Sequence, residues 1–462
     1  MDKYGRLPYE LDTKIDDTLT TAYAGTPLVV ELFRATGGAK TADEKLRRKE
    51  RNKGLSPSEM LESFFVLWAA GGERCEDFER LREDEALETL VGHGFPAPQT
   101  ARDFLEGFEE EDLPLWFDGD KAKIREESRG LRGLGEVNRE VIRFLQEKCP
   151  EKTATLDVDA TIVESTKRAA KMTYEGVKGY QPVSVLWSEQ DLILHEEFRD
   201  GNVPAGAGNC HVIEESLKML PEDVHEFHLR GDSALYEDKT MALCEERGIG
   251  YVISADMSPE LYEAIRALPE GDWRIDAEDS DAVREWAEVV YVPSERGSCH
   301  KDTPCVRRFL AIRVVKRQGR LFADGSDRRH FAVVTNREGA GLELIRWHRL
   351  KAGTVEHTHD EVLNDLAGWT LPSQKFGANA AWYRMNSILY NLLSAMKKAA
   401  LPKEYRDARP KRLRFLLFNV VGRVIQHARE TLCRVKAEMV RVLYGLVRVR
   451  IHARTRLRVA LA

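Results

Sequence analysis

The feature that most constrains the fold is a change in hydrophobic period at about residue 153, from helical spacing to strand-like alternation. From there to residue 254 the order is three strands, a helix, a strand, a second helix and a last strand. These segments are 155–159, 182–187, 191–197, 209–220, 226–230, 238–247 and 250–254. Ser188-Glu189-Gln190, between the second and third strands, is typical of a hairpin connection. The region is therefore predicted to be an α/β domain.

An acidic residue stands at one end of three predicted elements. Asp159 ends the first strand, Asp232 follows the fourth, and Glu356 lies in the first turn of a helix with Thr354 as its predicted N-cap. The element order is that of the ribonuclease H-like fold, which carries its first two acids on adjacent strands. Three carboxylates at one sheet edge can hold two divalent ions roughly 3.5–4 Å apart for phosphoryl transfer. Mg²⁺ suits such a site because it binds a few carboxylates and keeps water or phosphate oxygens as its other ligands. The sequence thus predicts an enzyme that cuts or joins nucleic acid.

The composition is that of a globular protein with more than one domain. Its 462 residues exceed the roughly 250–300 at which a single core stops growing, and 42% are hydrophobic and 32% charged. There is no apolar run of about 18 residues to predict a membrane span, and the first residues lack the apolar core of a signal peptide. Seven scattered cysteines without a CxxC pair favour a reducing, cytoplasmic setting over a disulfide framework or a structural zinc site.

Positive charge is concentrated at the C-terminal end. Residues 401–462 contain 16 Lys and Arg against four acids, a net charge of +12, so the first 400 residues carry −19 within a chain total of −7. Basic and apolar residues alternate in Lys411-Arg412-Leu413-Arg414 and again around Arg448, Arg450, Arg454, Arg456 and Arg458. Such spacing lets one face pack while the other meets phosphates, which favours DNA binding. The alternative is a solvated helix pair that balances the charge of the acidic body.

These patterns divide the chain into five regions. They are a helical N-terminal DNA-binding region (1–152), the first part of the ribonuclease H-like core (153–256), a β-rich insertion (257–336), completion of the core with the Glu356 helix (337–400) and a basic helical C-terminal region (401–462). In the first region, Ser56-Pro57-Ser58-Glu59 has the form of a capping box that begins a helix. The short helices that follow fit a helix-turn-helix DNA reader and a plain helical bundle equally well.

Three groups of motifs occur in order along the chain. The first joins Leu156-Asp157-Val158-Asp159-Ala160-Thr161 to Gly176-Val177-Lys178-Gly179-Tyr180-Gln181-Pro182, the second is Leu229-Arg230-Gly231-Asp232-Ser233-Ala234, and the third joins Gly353-Thr354-Val355-Glu356 to Phe376-Gly377-Ala378-Asn379-Ala380 and Leu389-Tyr390-Asn391-Leu392. With these motifs the chain resembles a DDE-type insertion-sequence transposase, and most of all the bacterial family numbered thirteen-eighty. The resemblance covers most of the chain and implies a bacterial enzyme of the cytoplasm, associated with the nucleoid.

The resemblance implies a role for each matched acid. Asp159, Asp232 and Glu356 would be the catalytic acids that hold two Mg²⁺ or Mn²⁺ ions. Asp157, two residues away on the same strand face, remains an alternative to Asp159 as the first acid. Asp232 could instead cap the next turn, and Glu356 could belong to a solvated acidic helix face.

DNA contacts are expected from basic residues near these acids and in the C-terminal region. These residues are Arg230, Arg349, Lys351, Lys411, Arg412 and Arg414. Related hairpin-forming transposases carry a tyrosine, an arginine and a lysine around the glutamate to grip DNA phosphates, and those places hold Arg349, Ala352 and Leu363 here. Arg349 and Lys351 could supply the charge instead, since a phosphate clamp needs nearby cations more than one fixed position.

Two other sets of potential metal ligands are not favoured. His357 and His359 are two residues apart on a predicted helix, so they point to different faces and cannot easily share an ion. Cys299-His300 with Cys305 forms a looser set within the β-rich region.

The reaction implied by the resemblance is DNA transposition. The enzyme would cut one strand at a terminal inverted repeat, and the freed 3′-hydroxyl would attack a second phosphodiester without ATP. Its β-rich insertion resembles that of transposases that release the element through a DNA hairpin, and there Trp273 or Trp286 would either stack on a flipped base or form part of the core. The partners would be double-stranded inverted-repeat and target DNA and, for synapsis of two ends, a second copy of the chain. A metal-dependent nuclease of the same fold and a domesticated DNA-binding protein are the alternatives.

Overall fold

The N-terminal part of the computed structural model is a packed set of helices. The model describes residues 18–46, 54–118, 122–293, 307–317, 320–427, 430–436 and 438–452. Its first elements are β1 Thr20–Thr21, α1 Pro27–Thr36, α2 Gly38–Lys45, α3 Pro57–Ala70, α4 Phe78–Arg82, α5 Glu85–Val91, α6 Pro98–Glu106, β2 Leu115–Asp118, β3 Ala122–Arg125 and α7 Arg129–Lys148. Helix α3 begins with the predicted capping box, in which the Ser56 N–H donates to Glu59 Oε2 at 2.7 Å. The β2–β3 hairpin corrects the prediction that this region is helical throughout, because its strands pair along their full length.

A nine-stranded mixed sheet forms the centre of the described residues. From residue 153 onward the strands are β4 Thr153–Ala160, β5 Val163–Glu164, β6 Lys171–Met172, β7 Lys178–Tyr180, β8 Val183–Trp187, β9 Leu192–Glu197, β10 Glu226–Gly231, β11 Gly250–Ser254, β12 Arg274–Glu278, β13 Ala282–Val289, β14 Arg308–Lys316 and β15 Arg328–Thr335. Strands β5–β7 form a small sheet of their own, and the other nine lie in the order β12-β13-β14-β15-β11-β10-β4-β8-β9.

The strand pairing places two parallel neighbours at the middle of the sheet. Strand β8 is antiparallel to both β4 and β9, whereas β10 is parallel to β4 and to β11. Helices α8 Asn209–Met219 and α9 Asp238–Glu246 occupy the connections before and after β10. The predicted order of three strands, a helix, a strand, a helix and a strand is therefore confirmed.

The predicted β-rich region extends this same sheet. After helix α10 Pro259–Arg266, the strands β12–β15 follow, and β15 pairs antiparallel with β11. The strand predicted over 288–292 lies earlier, because β13 pairs with β14 from Ala282 to Val289. Trp286 is buried there, as the core alternative predicts, and the Arg313 guanidinium covers the Trp273 ring at 4.3 Å.

One long buried helix joins the N-terminal helices to the sheet. The helices after the sheet are α11 Gly341–Arg349, α12 Val355–Asp360, α13 Phe376–Ala395, α14 Pro410–Leu413 and α15 Glu438–His452. In α13, Trp382 packs against Trp68 of α3 with ring centroids 4.9 Å apart, and the Asn391 side chain accepts from the Ile193 N–H of β9 at 2.8 Å. The predicted packing helix is confirmed.

The C-terminal region differs from its prediction. A hairpin of β16 Gly422–His427 and β17 Glu430–Val435 interrupts the predicted helical segment and pairs with β1. Val424, Ile425 and Thr431 are β-branched, which suits a pleated surface better than a helix. Arg454, Arg456 and Arg458 lie outside the described residues, as do Cys299, His300 and Cys305. Within the described ranges, no helix is long and apolar enough to cross a membrane.

Candidate active site

The sheet topology brings the first two predicted acids together. Asp157 of β4 stands opposite Arg230 of the parallel strand β10. Two residues further along each segment lie Asp159 and Asp232. The carboxyl ends of adjacent parallel strands meet at one edge of a sheet, where functional side chains of α/β proteins commonly lie. The Asp159 side chain is 15% exposed and that of Asp232 is 49% exposed, so solvent reaches both carboxylates.

A single ammonium group lies between these two carboxylates. Lys351 belongs to a 3₁₀ turn, Leu350–Gly353, that follows α11. Its Nζ is 3.0 Å from Asp159 Oδ1 and 3.9 Å from Asp232 Oδ2, and its side chain is buried. Lys351 was predicted to contact a DNA phosphate. In the structure its ammonium pairs with Asp159, and the phosphate contact stays a prediction.

The charges at this edge favour a bound cation. Partial burial raises the pKa of Asp232 despite Lys351, and the nearby Asp159 carboxylate raises it further. Asp232 Oδ1 also accepts the Ala234 N–H at 2.9 Å. Asp232 therefore caps the next turn, as the alternative prediction has it, and also faces the Lys351 ammonium. Two adjacent carboxylates supply hard oxygen donors of the kind that Mg²⁺ and Mn²⁺ prefer.

Asp157 has a different environment from Asp159. Its side chain is fully buried, and its two oxygens accept from Arg230 Nε and Nη2, each at 2.6 Å. The Arg230 guanidinium also donates to the Trp347 carbonyl at 3.0 Å and to Ser188 Oγ at 2.8 Å. Arg230 was predicted to contact DNA. Its guanidinium is buried and occupied by these partners, and the DNA contact stays a prediction.

The same buried pair anchors the segment that leads to Glu356. The Thr354 hydroxyl donates to Asp157 Oδ2 at 2.5 Å, which ties the start of α12 to β4. Thr354 is the N-cap residue of this helix, as predicted, but its side chain makes no capping hydrogen bond. It fastens the helix to the sheet instead.

Glu356 lies in the first turn of α12, as predicted, and is exposed. Its neighbours Val355 and Thr358 are buried, so α12 packs through the opposite face. Among the residues that the structure describes, no three His, Cys, Asp or Glu side chains are arranged as a set of metal ligands. The structure therefore brings Asp159 and Asp232 together, and within the described residues it does not group Glu356 with them as a third metal ligand.

His359 is a neighbour of Asp159 that the sequence did not single out for this place. Its Nδ1 is 3.7 Å from Asp159 Oδ2, and burial, with a contribution from Lys351, lowers the pKa of the imidazole to about 4. The ring is therefore neutral at pH 7. His357 is exposed and pairs with Glu361 at 3.0 Å, so the two histidines lie on different faces of α12, as predicted. The helical spacing of four between Val355 and His359 places both on the buried face of α12, and it is the signal in the sequence that could have indicated this position.

The remaining predicted DNA contacts fall into two groups. Arg414 donates to the carbonyls of Trp68 and Asp365 at 2.9 and 2.7 Å, and Arg349 pairs with buried Asp276. The guanidinium of Arg414 thus holds main-chain carbonyls, and its predicted phosphate contact stays a prediction. Lys411 and Arg412 are exposed and line a groove of about 870 Å³.

Comparisons with known proteins place the chain in a family. The family described as transposase DDE domain group 1 matches residues 17–443. No curated protein matches the sequence. Among solved structures, a similar one is a piggyBac transposase synaptic complex with hairpin DNA determined by cryo-electron microscopy; the identity is 12%, the TM-score is 0.44, and the match covers 93% of this chain and 82% of that one. Because the family match spans nearly all of the sequence, the chain belongs to the DDE transposases of group 1.

Proposed function

We propose that this transposase cuts transposon ends and joins them to target DNA by two-metal phosphoryl transfer in a ribonuclease H-like core. The observation that carries the proposal is the position of Asp159 and Asp232 at the carboxyl ends of two adjacent parallel strands, with one ammonium between them. The order β9-β8-β4-β10-β11, antiparallel and then parallel, supports the assignment of the core.

Asp159 and Asp232 are the residues placed to hold Mg²⁺ or Mn²⁺. Glu356 is proposed as the third acid, and it would have to approach these two carboxylates to complete the site. When bound, such ions supply activation of the attacking oxygen and stabilisation of the leaving oxygen. Asp157, Arg230 and Thr354 hold β4, β10 and the start of α12 together. The ammonium of Lys351 offsets part of the negative charge of the two aspartates in the metal-free protein.

The proposed substrates are the terminal inverted repeats of an element and its target DNA. Joining requires two ends in one complex, so a homodimer is the proposed assembly. A strand-transfer assay with a supercoiled target plasmid tests joining, and cut ends without joined products would identify a nuclease. Denaturing electrophoresis of the released ends tests the proposed hairpin route.

Replacement of Asp232 tests the proposed chemistry. The variant Asp232→Asn keeps the shape of the side chain and its hydrogen bond to Ala234, but removes the negative charge that a divalent ion requires. We expect it to lose detectable Mg²⁺-dependent cleavage of inverted-repeat DNA while binding that DNA with unchanged affinity.

The matched control is Asp272→Asn, at an exposed position in the 3₁₀ turn Glu270–Asp272. This variant should cleave as the unmodified protein does, since Asp272 lies ahead of β12, away from the β4–β10 edge. Full cleavage by Asp232→Asn would refute the assignment of the site.

A further inference from the structure

A groove of about 620 Å³ lies between the small sheet, the segment after α12 and the N-terminal helices. The small sheet β5–β7 contributes Ser165, Thr166, Lys167 and Lys178, and the segment after α12 contributes Trp369. The connection between α3 and α4 contributes Arg74, whose main-chain N–H donates to Asp77 Oδ2 at 3.0 Å. We call this feature the Trp369 groove.

The Trp369 groove carries positive charge that the protein itself does not neutralise. Arg74, Lys167 and Lys178 form no ion pair with any residue in the described ranges. Most basic side chains near the sheet are paired, as Arg313 is with Glu270 and Glu285. Glu164 is the acid among the lining residues, so cations exceed acids there. Unpaired cations in a concave surface concentrate field lines and attract a polyanion.

An exposed aromatic ring stands among these cations. Trp369 is 46% exposed, although tryptophan is usually well buried. Hydroxyl groups of Ser165 and Thr166 line the same groove and can donate to phosphate oxygens. A basic groove with an exposed ring is the arrangement with which proteins bind single-stranded nucleic acid, because an unpaired base can stack on the ring while cations follow the backbone.

Short chain segments connect the groove to the candidate active site. Strand β5 begins at Val163, four residues after Asp159, and Trp369 follows α12 within the same chain segment as Glu356. The Arg168 N–H donates to the Gln374 side chain at 2.9 Å, which joins the small sheet to the Trp369 segment. The charges of Asp232 and Asp159 contribute to raising the pKa of Tyr174, on the loop between β6 and β7, after burial and Glu175. The small sheet is therefore within electrostatic reach of the two carboxylates.

We propose that the Trp369 groove binds a single strand of DNA next to the bond that is cut, with phosphates on Arg74, Lys167 and Lys178 and an unpaired base stacked on Trp369. This inference rests on the proposed function, since it assigns a substrate segment to the same site. A duplex keeps its bases stacked inside the helix, so only an unpaired base can use the indole face.

Fluorescence anisotropy with the full chain tests this inference. The probes are a labelled oligothymidylate of about 12 nucleotides, within the usual site size for such proteins, and a blunt duplex. We expect Trp369→Ala to weaken binding of the oligothymidylate about tenfold and to leave duplex binding unchanged, because only stacking is lost. Trp369→Phe should restore most of the affinity, since phenylalanine keeps a ring.

Charge reversal tests the phosphate contacts. Lys167→Glu with Lys178→Glu should weaken oligothymidylate binding and reduce its dependence on salt concentration. The control Lys152→Glu changes an exposed lysine just before β4, at the opposite end of that strand, and should bind as the unmodified protein does. Melting temperatures of all variants should agree.

The outcomes separate the two proposals. Unchanged oligothymidylate affinity in either Trp369→Ala or the double variant would overturn the inference, and so would a loss confined to the duplex. Cleavage by Asp232→Asn would overturn the proposed function, but it would leave a Trp369-dependent loss of single-strand binding in place. Conversely, a cleavage-defective Asp232→Asn variant alongside normal binding by Trp369→Ala would overturn only the inference.

Discussion

Asp157 and Asp159 occupy the same strand two residues apart, yet their surroundings assign them different tasks. Asp157 is completely buried and accepts a bidentate pair from Arg230, whereas Asp159 meets Lys351 at a solvent-accessible edge. Period-two spacing puts both side chains on one face, so the sequence left them as alternatives. The decisive partner, Arg230, is 73 residues away on the neighbouring strand, and only the strand pairing brings it to Asp157.

The buried Asp157–Arg230 pair should contribute to stability rather than to DNA binding. In Arg230→Met the Asp157 carboxylate would lose its cationic partner in a site without solvent, which typically costs about 3–5 kcal/mol. We expect urea denaturation to show a fall of this order in the free energy of unfolding. DNA affinity, measured where the variant is folded, should stay the same. A stable variant with weakened DNA binding would show that Arg230 contacts DNA after all.

At the scale of elements, the order of strands and helices in the core was predictable, whereas two hairpins were not. The core segments carry long apolar alternation, and the intervening helices are well separated from them. The β2–β3 and β16–β17 hairpins are short and lie beside helices. Within each hairpin the two strands pair with one another, and β16 also pairs with β1. These pairings fix the segments as strands, and such contacts are not visible in a local sequence pattern.

Helix α13 depends on a glycine where it meets the N-terminal helices. A Cβ on Gly377 would lie 2.5 Å from the Phe108 carbonyl oxygen and 2.8 Å from Glu109 Cα, both main-chain atoms. We expect Gly377→Ala to lower the free energy of unfolding by about 1–3 kcal/mol, because the helix or the α6–β2 connection must shift.

Gly135, inside α7, is the matched control for this substitution. A Cβ there would meet no heavy atom within 4 Å. Gly135→Ala should therefore stabilise the protein by about 0.5–1 kcal/mol, the usual gain from replacing a helical glycine. Thermal unfolding of the two variants side by side checks both signs, and a destabilised Gly135→Ala or an unaffected Gly377→Ala would contradict this account of the packing.

For the whole molecule, the charge asymmetry has an internal use. Several basic side chains of the C-terminal region pair with the acidic body: Arg409 with Asp360 and Asp365, Lys411 with Asp365, and Arg448 with Glu31. The sequence alone left two uses for these cations, phosphate binding and balance of the acidic body. For these residues the structure supports balance of the acidic body, because each cation is paired with an acid of that body. The sequence alone could not show this, since the paired residues are more than 40 positions apart and meet only in the folded chain.

Arg409 and Arg412 should separate these two uses of positive charge. Arg409 Nη2 is 3.1 Å from Asp365, whose side chain is fully buried, whereas Arg412 is exposed and forms no ion pair within the described residues. We expect Arg409→Ala to cost about 1–3 kcal/mol of stability, since a buried carboxylate loses a partner. Arg412→Ala should leave the melting temperature unchanged, weaken duplex DNA binding uniformly across sequences and reduce the slope of log affinity against log salt by about 1, as loss of one phosphate contact does. If both variants lost stability and neither changed the salt slope, Arg412 would belong with the internal charge pairs, and the DNA surface would have to be sought in the Trp369 groove.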